Sequence, residues 1–237
     1  YPDAGLVTIT ITNKDDPSEA GTISQILFLP ASFAVSAPST QTVAKPFGFS
    51  VTALNAKGEV TPNYTSQVSL RPLAVNPASI ALGVLAPSQI SGAEFQNGTA
   101  SPQVTWNLYG TIKIQAQDSK DSTKQGLSPE ITFLPKSLSV KVEPPGGRDF
   151  FYIGEPISLL VQALDELGAP IPNYPGTIEL SAGSGLTLPG EYTYTGQDAG
   201  EHKFLASALQ AGEYLVLASA KDGSLKAESP PIVVKNA

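Results

Sequence analysis

Cysteine is absent from the 237 residues, and histidine and tryptophan occur once each. Without cysteine there is no disulfide and no thiol chemistry. With His202 as its one histidine, the chain lacks both the Cys–His pair of a thiol enzyme and the imidazole cluster that holds zinc. A Ser–His–Asp triad needs a single histidine, but the sequence has no Gly-x-Ser-x-Gly elbow, and Gly183-Ser184-Gly185 has the wrong spacing for one. No catalytic residue and no resident metal are therefore expected.

Charge is scarce too. Charged residues make up 15% of the chain, below the usual quarter, and the net charge is −7. An acidic surface repels nucleic acid and anionic lipid, and no cluster of Lys and Arg offsets it, so neither is an expected partner. No apolar run reaches the ~18 residues of a membrane-spanning helix, and no membrane insertion is expected. The first residues lack the basic start and apolar core of a signal peptide, which fits a processed chain or a piece of a longer one.

What the sequence has in quantity is apolar residues (41%) and turn formers, with 21 Gly and 21 Pro. That balance suits short strands joined by tight turns. The stretch Pro46-Phe47-Gly48-Phe49-Ser50-Val51-Thr52-Ala53-Leu54, with Gly58, Tyr64 and Leu70, recurs 110 residues later as Pro156 through Leu164, with Gly168, Tyr174 and Leu180. The offset does not slip along the whole match, so two copies of one folding unit stand in tandem.

A second match has an offset of 105 residues. Gly5-Leu6-Val7-Thr8-Ile9-Thr10-Ile11-Thr12 and Ile26-Leu27-Phe28-Leu29-Pro30 correspond to Gly110–Gln117 and Ile131–Pro135, and a third version closes the chain at Gly212–Ala218 and Pro231–Val234. Gly5–Thr12 alternates apolar and polar residues as a half-buried strand does. Each version is the final strand pair of a unit. Residues 1–30 are then the closing pair of a preceding unit, followed by units over 31–135 and 136–237. The connectors Phe133–Leu138 and Phe28–Phe33 each hold a proline and no Gly/Ser linker. About seven short strands per unit, with turn signals every 8–12 residues or so, give an all-β fold of tandem Greek-key β-sandwiches.

The second unit resembles a known family. Pro156–Asp165 with Gly168, Tyr174-Pro175-Gly176-Thr177-Ile178, Tyr192-Thr193-Tyr194, Asp198–Phe204 and Ala211-Gly212-Glu213-Tyr214 are similar to the immunoglobulin-like, filamin-like tandem repeats of bacterial cell-surface proteins. The match covers most of unit two. Unit one matches at Pro46–Leu70 and near its end but departs between Arg71 and Ser101. The resemblance implies an extracellular, non-enzymatic role as a spacer, fibre or surface-layer segment, with an adhesin or carbohydrate-binding accessory module as the alternative. The implied partners are neighbouring Ig-like domains, copies of the same chain, or cell-surface glycans and proteins.

Five candidate features remain. Phe150, Phe151 and Tyr152 lie in a five-residue insertion of unit two, and three successive aromatics cannot all point inward. They are read as a binding surface or an inter-domain contact. Val7, Ile9, Ile11, Ile26 and Phe28 are read as candidate assembly strands, because a lone hairpin is marginal in water and leaves open edges: either the chain is cut from a longer repeat array, or these strands complete a fold supplied by another molecule. The apolar stretch Ala74–Leu85 is read as a covered loop or a contact to a neighbouring chain. Calcium is the one candidate ion, at the acidic turns Asp15-Asp16, Asp118–Asp121 and Asp165-Glu166. Lys120 inside the second of these weakens it, and no cofactor is expected. Asn63-Tyr64-Thr65 and Asn97-Gly98-Thr99 fit the N-glycosylation pattern, yet Pro175 spoils it in the second copy, so Asn-Tyr reads as a turn plus a packed ring.

Overall fold

A computed structural model of the chain describes residues 3–77 and 83–236. Part of the apolar stretch Ala74–Leu85, residues 78–82, lies outside the described residues. The fold is all-β, built of immunoglobulin-like Greek-key sandwiches. Among the described residues the only helical turns are single 3-10 turns at Gly92–Glu94 and Pro145–Gly147.

The chain divides into two compact units. Unit 1 comprises residues 1–41, 46–106 and 111–132, and unit 2 comprises 42–45, 107–110 and 133–237. Each is described by itself.

Unit 1 opens with an antiparallel hairpin, β1 (Gly5–Thr12) and β2 (Ala20–Phe28). These two strands form a two-stranded sheet of their own. Next come β3 (Ser32–Ser36), β4 (Thr40–Thr42), β5 (Phe47–Gly48), β6 (Ser50–Leu54) and β7 (Val68–Asn76). They are followed by β8 (Leu85–Ala86), β9 (Gln89–Ile90), β10 (Thr99–Ala100), β11 (Gln103–Trp106), β12 (Gly110–Asp118), β13 (Gln125–Leu127) and β14 (Ile131–Leu134). The sheet orders are β10–β6–β3, β5–β11–β8 and β4–β14–β12–β7–β9, with β13 also on β12. Sequence neighbours are thus often not sheet neighbours, as a Greek key requires.

The pleat puts alternate residues on opposite faces, and β12 obeys this along its whole length. Gly110, Ile112, Ile114, Ala116 and Asp118 are buried, while Thr111, Lys113, Gln115 and Gln117 are half-exposed. The same core takes Phe33, Phe49, Val51, Ala53, Val104 and the single tryptophan, Trp106, all buried. A Cβ on Gly83 would fall 2.3 Å from the Trp106 ring, so only glycine fits there.

Unit 2 repeats the plan. Its strands are β15 (Ser137–Val142), β16 (Phe151–Tyr152), β17 (Pro156–Leu164), β18 (Thr177–Ala182), β19 (Leu186–Thr187) and β20 (Tyr192–Thr193). Then come β21 (Glu201–Ala208), β22 (Gly212–Tyr214), β23 (Val216–Ala220), β24 (Lys226–Glu228) and β25 (Ile232–Lys235). The sheet orders are β15–β17–β21–β19, β16–β25–β22 and β20–β18–β23–β24. The core holds Val140, Phe151, Ile157, Leu159, Val161, Tyr174, Ile178, Phe204, Val216 and Val234.

The repeat extends to individual hydrogen bonds. Asn55 Oδ1 accepts the amides of Lys57 and Glu59, and Gly58 sits at φ +80°. One copy later, Asp165 Oδ1 accepts the amides of Leu167 and Ala169, and Gly168 sits at φ +81°. Where β12 meets its return strand, Ser128 Oγ accepts the Ile114 amide, and in unit 2 Ser229 Oγ accepts the Val216 amide. Two side-chain acceptors thus fill gaps that the ladder leaves.

Candidate functional site

Two features of the described chain ask for a function beyond packing: the aromatic trio of unit 2 and the hairpin of unit 1.

The trio splits as strand alternation demands. Phe151 is buried in the core, while Phe150 is half-buried and Tyr152 is exposed. Phe151 and Tyr152 form β16, which runs parallel to the last strand, β25, with Phe151 opposite Val234 and Tyr152 opposite Lys235. The Ile153 amide donates to the Lys235 carbonyl at 3.1 Å and extends that ladder. The outward rings of Phe150 and Tyr152 meet edge to face with centroids 5.2 Å apart.

Cations occupy the faces of these rings. The Arg148 guanidinium carbon lies 4.9 Å from the Tyr152 centroid and 5.3 Å from that of Phe150, and Lys235 Nζ lies 4.0 Å from the Phe150 centroid. Such contacts are electrostatically favourable. Glu155 closes the cluster. It accepts from Arg148 Nη2 at 2.6 Å and from the Tyr152 amide at 2.9 Å. The Tyr152 amide and then the Arg148 guanidinium hold its carboxyl below the ordinary glutamate value. The arrangement fastens β16 to β25 from outside. The sequence points to the three aromatics through their insertion, but Arg148, Glu155 and Lys235 become partners only when β16 lies beside β25.

The hairpin residues named from the sequence do share a face. Cross-strand partners are Gly5 with Phe28, Val7 with Ile26, Ile9 with Ile23 and Ile11 with Gly21. Partners, and residues two apart, point to the same side. Val7, Ile9, Ile11, Ile26 and Phe28 therefore form one apolar face, and a register shift between Val7 and Ile9 brings Ile23, three residues from Ile26, to the same side, which the sequence reading missed. Ile9 is 41% exposed, Ile11 68% and Ile23 56%. The other face carries Leu6 with Leu27 and Thr10 with Thr22.

The acidic turns are occupied by their own backbone. Asp118 Oδ1 accepts the amides of Lys120 and Asp121, and its Oδ2 accepts the Tyr64 hydroxyl at 2.6 Å. Asp16 Oδ1 accepts from the Ser18 amide and hydroxyl. Among the described residues no group of three or more His, Cys, Asp or Glu is placed to hold a metal. Asn63, at the head of one glycosylation pattern, donates from Nδ2 to Asp3 Oδ2.

His202 is packed. Its ring stacks on Tyr192 with centroids 3.5 Å apart and planes 13° apart, and it meets Phe204 edge to face. Its Nδ1 lies 3.1 Å from Asp198 Oδ1. Burial works to raise the Asp198 carboxyl, but hydrogen bonds from the Thr195 amide and hydroxyl, His202 and Tyr192 outweigh it and hold the group at about 2.

No family model matches the sequence, and no curated protein matches it. Solved structures do. The Yersinia pseudotuberculosis adhesin InvE is similar at 14% identity and a TM-score of 0.44, over 86% of this chain and 60% of that one. FdeC, an Escherichia coli adhesin, is similar at 12% identity and a TM-score of 0.40, over 98% and 74%. A beta-glycosidase from Bacteroides vulgatus is similar at 12% identity and a TM-score of 0.35, over 86% of this chain but 24% of that one. At these values the likeness says nothing of what this chain binds or does.

Proposed function

We propose that the chain is a non-enzymatic, tension-bearing spacer from a bacterial surface protein, fibre or surface layer built of tandem Ig-like repeats and displayed outside the cell. The observation that supports this best is the parallel pairing of β16 with β25 in unit 2. One strand lies near the start of the unit and the other at its end. Tension along the chain pulls two parallel neighbours lengthwise past each other, so their hydrogen bonds carry the load together rather than opening one by one. The Arg148–Phe150–Tyr152–Glu155–Lys235 cluster lies across the same pair. The sheet order of unit 1 likewise sets β4 beside β14.

The alternative, an adhesin or carbohydrate-binding accessory module, draws on the same aromatics. Stacking a sugar needs an open ring face, and Arg148 and Lys235 already lie against these rings.

Single-molecule pulling of the whole chain from its two ends tests the proposal. Two resistant events are expected, each releasing roughly 100 residues, or about 360 Å of contour length at about 3.6 Å per residue. Ile153→Pro removes the amide that bonds the Lys235 carbonyl. It should lower the force of one event and leave the other unchanged. Equal forces in the two proteins would sink the load-bearing role.

A further inference from the structure

We propose that the hairpin β1–β2 is the closing strand pair of a further Ig-like sandwich, and that its apolar face docks the opposite layer of that sandwich, joined in tandem ahead of it. This rests on the tandem-repeat reading, but its failure would leave the load-bearing role of unit 2 standing.

The first argument is register. Val7, Ile9, Ile11, Ile26 and Phe28 sit 105 residues before Ile112, Ile114, Ala116, Ile131 and Phe133. All five of the later residues are 0% exposed. The backbone agrees, since Gly5 and Gly110 share φ +123°. The sequence thus specifies a core-facing surface on the hairpin, and the described residues leave much of that surface open. Such a face loses free energy to water until an apolar layer covers it.

The second argument is the occupant's chemistry. In unit 1 the equivalent face shares its core with Phe33, Phe49, Val51, Ala53 and Val104, all buried. A layer of aromatic and β-branched residues on two or three strands is what the hairpin face is shaped for. Asn13 adds a polar marker. It stands 105 residues before Asp118, which receives the Tyr64 hydroxyl. The docking layer should bring a hydrogen-bonding side chain to Asn13.

The third argument is how the hairpin is held, which fixes the order along the chain. Asn63 takes Asp3 through its side chain at 2.5 Å and through its amide at 3.4 Å. In unit 2 the matching Asn173 receives the Tyr109 amide on Oδ1 and donates to the Tyr109 carbonyl. At the 105-residue offset Asp3 matches Leu108, the neighbour of Tyr109, so the two contacts fall one position apart. Asn63 thus takes a residue just ahead of β1, as Asn173 takes the residue just ahead of β12. A strand pair held in this way is the tail of the sandwich that comes before.

The test grafts a front onto the hairpin. Residues 31–107 of this chain are joined directly ahead of Asp3 in the full chain, so that the graft ends where β12 would begin. A companion carries Ile11→Ala, which restores the size of Ala116 and guards against an overfilled core. Hydrogen exchange is read at the amides of Val7–Ile11, beside light scattering of the ungrafted chain. In at least one graft those amides should slow a hundredfold or more, and Ile9→Asp should abolish the slowing. Unchanged exchange in both grafts overturns the proposal. So does a concentration-dependent dimer of the ungrafted chain that Ile9→Asp dissolves, for then a second copy covers the face.

Discussion

At the scale of residues, burial and hydrogen bonding act together on Tyr64 and against each other on Asp198. Burial, and then the hydrogen bond to Asp118, push the Tyr64 hydroxyl well above its ordinary range. The shift favours the neutral hydroxyl, the form that donates to Asp118. Tyr64→Phe keeps the ring against Phe33 and Phe95 but leaves Asp118 Oδ2 without its donor. The loss should be about 1–3 kcal/mol in urea unfolding followed by circular dichroism. A smaller loss would show that water replaces the hydroxyl. Asp198 gives a pH signature. Its folded value of about 2 lies below the ordinary 3.8. A depressed carboxyl stabilises the fold above its unfolded value and loses that contribution as pH falls from about 4 through about 2. Asp198→Asn should therefore be less stable than the parent at pH 5, and the gap should close toward pH 2. A gap that persists there would assign the effect to packing alone. The Tyr64–Asp118 bond was not legible in the sequence, because the two residues are 54 apart and only the fold joins them.

At the scale of elements, the repeat is a control experiment already present in the chain. Asn97 and Gly98 both take positive φ, 50° and 80°, and so do Ala199 and Gly200, 51° and 84°. The Ala53 amide donates to the Gly98 carbonyl and the Ala163 amide to that of Gly200, so the two turns do the same work. A Cβ on Gly200 would sit 2.4 Å from the Ile171 carbonyl oxygen, against backbone that cannot yield. Gly200→Ala should cost about 1–3 kcal/mol or more. Ala199→Asn should gain a few tenths to about 1 kcal/mol, because asparagine tolerates the left-handed region and alanine does not. Thermal melts of both variants check the pair, and a destabilised Ala199→Asn would break the equivalence. The sequence hid this turn, since its offset is 102 residues, neither 105 nor 110. It also concealed the full length of β2. Ala20–Ser24 has little apolar character and becomes strand only because β1 offers it a ladder. By contrast, β12 was readable because strict alternation survives where one side of a strand is buried, and β17 because it repeats Pro46–Leu54 at an offset of 110.

At the scale of the whole molecule, the tandem plan follows from an offset of 110 that holds from Pro46 to Leu70, through a turn as well as its strands. The load-bearing role proposed above predicts mechanical resistance confined to unit events, as the Ile153→Pro comparison measures. The boundaries were harder to read. Thr42–Lys45 and Asn107–Gly110 group with residues 133–237, and no change of composition marks them. The single tryptophan has one more consequence. Trp106 is the one indole of the chain and is fully buried in unit 1. Light at the red edge of aromatic absorption excites this ring alone. Its emission therefore reports when unit 1 loses its core, while far-ultraviolet ellipticity sums both units. The difference between the two signals separates the melting of neighbouring repeats without any label.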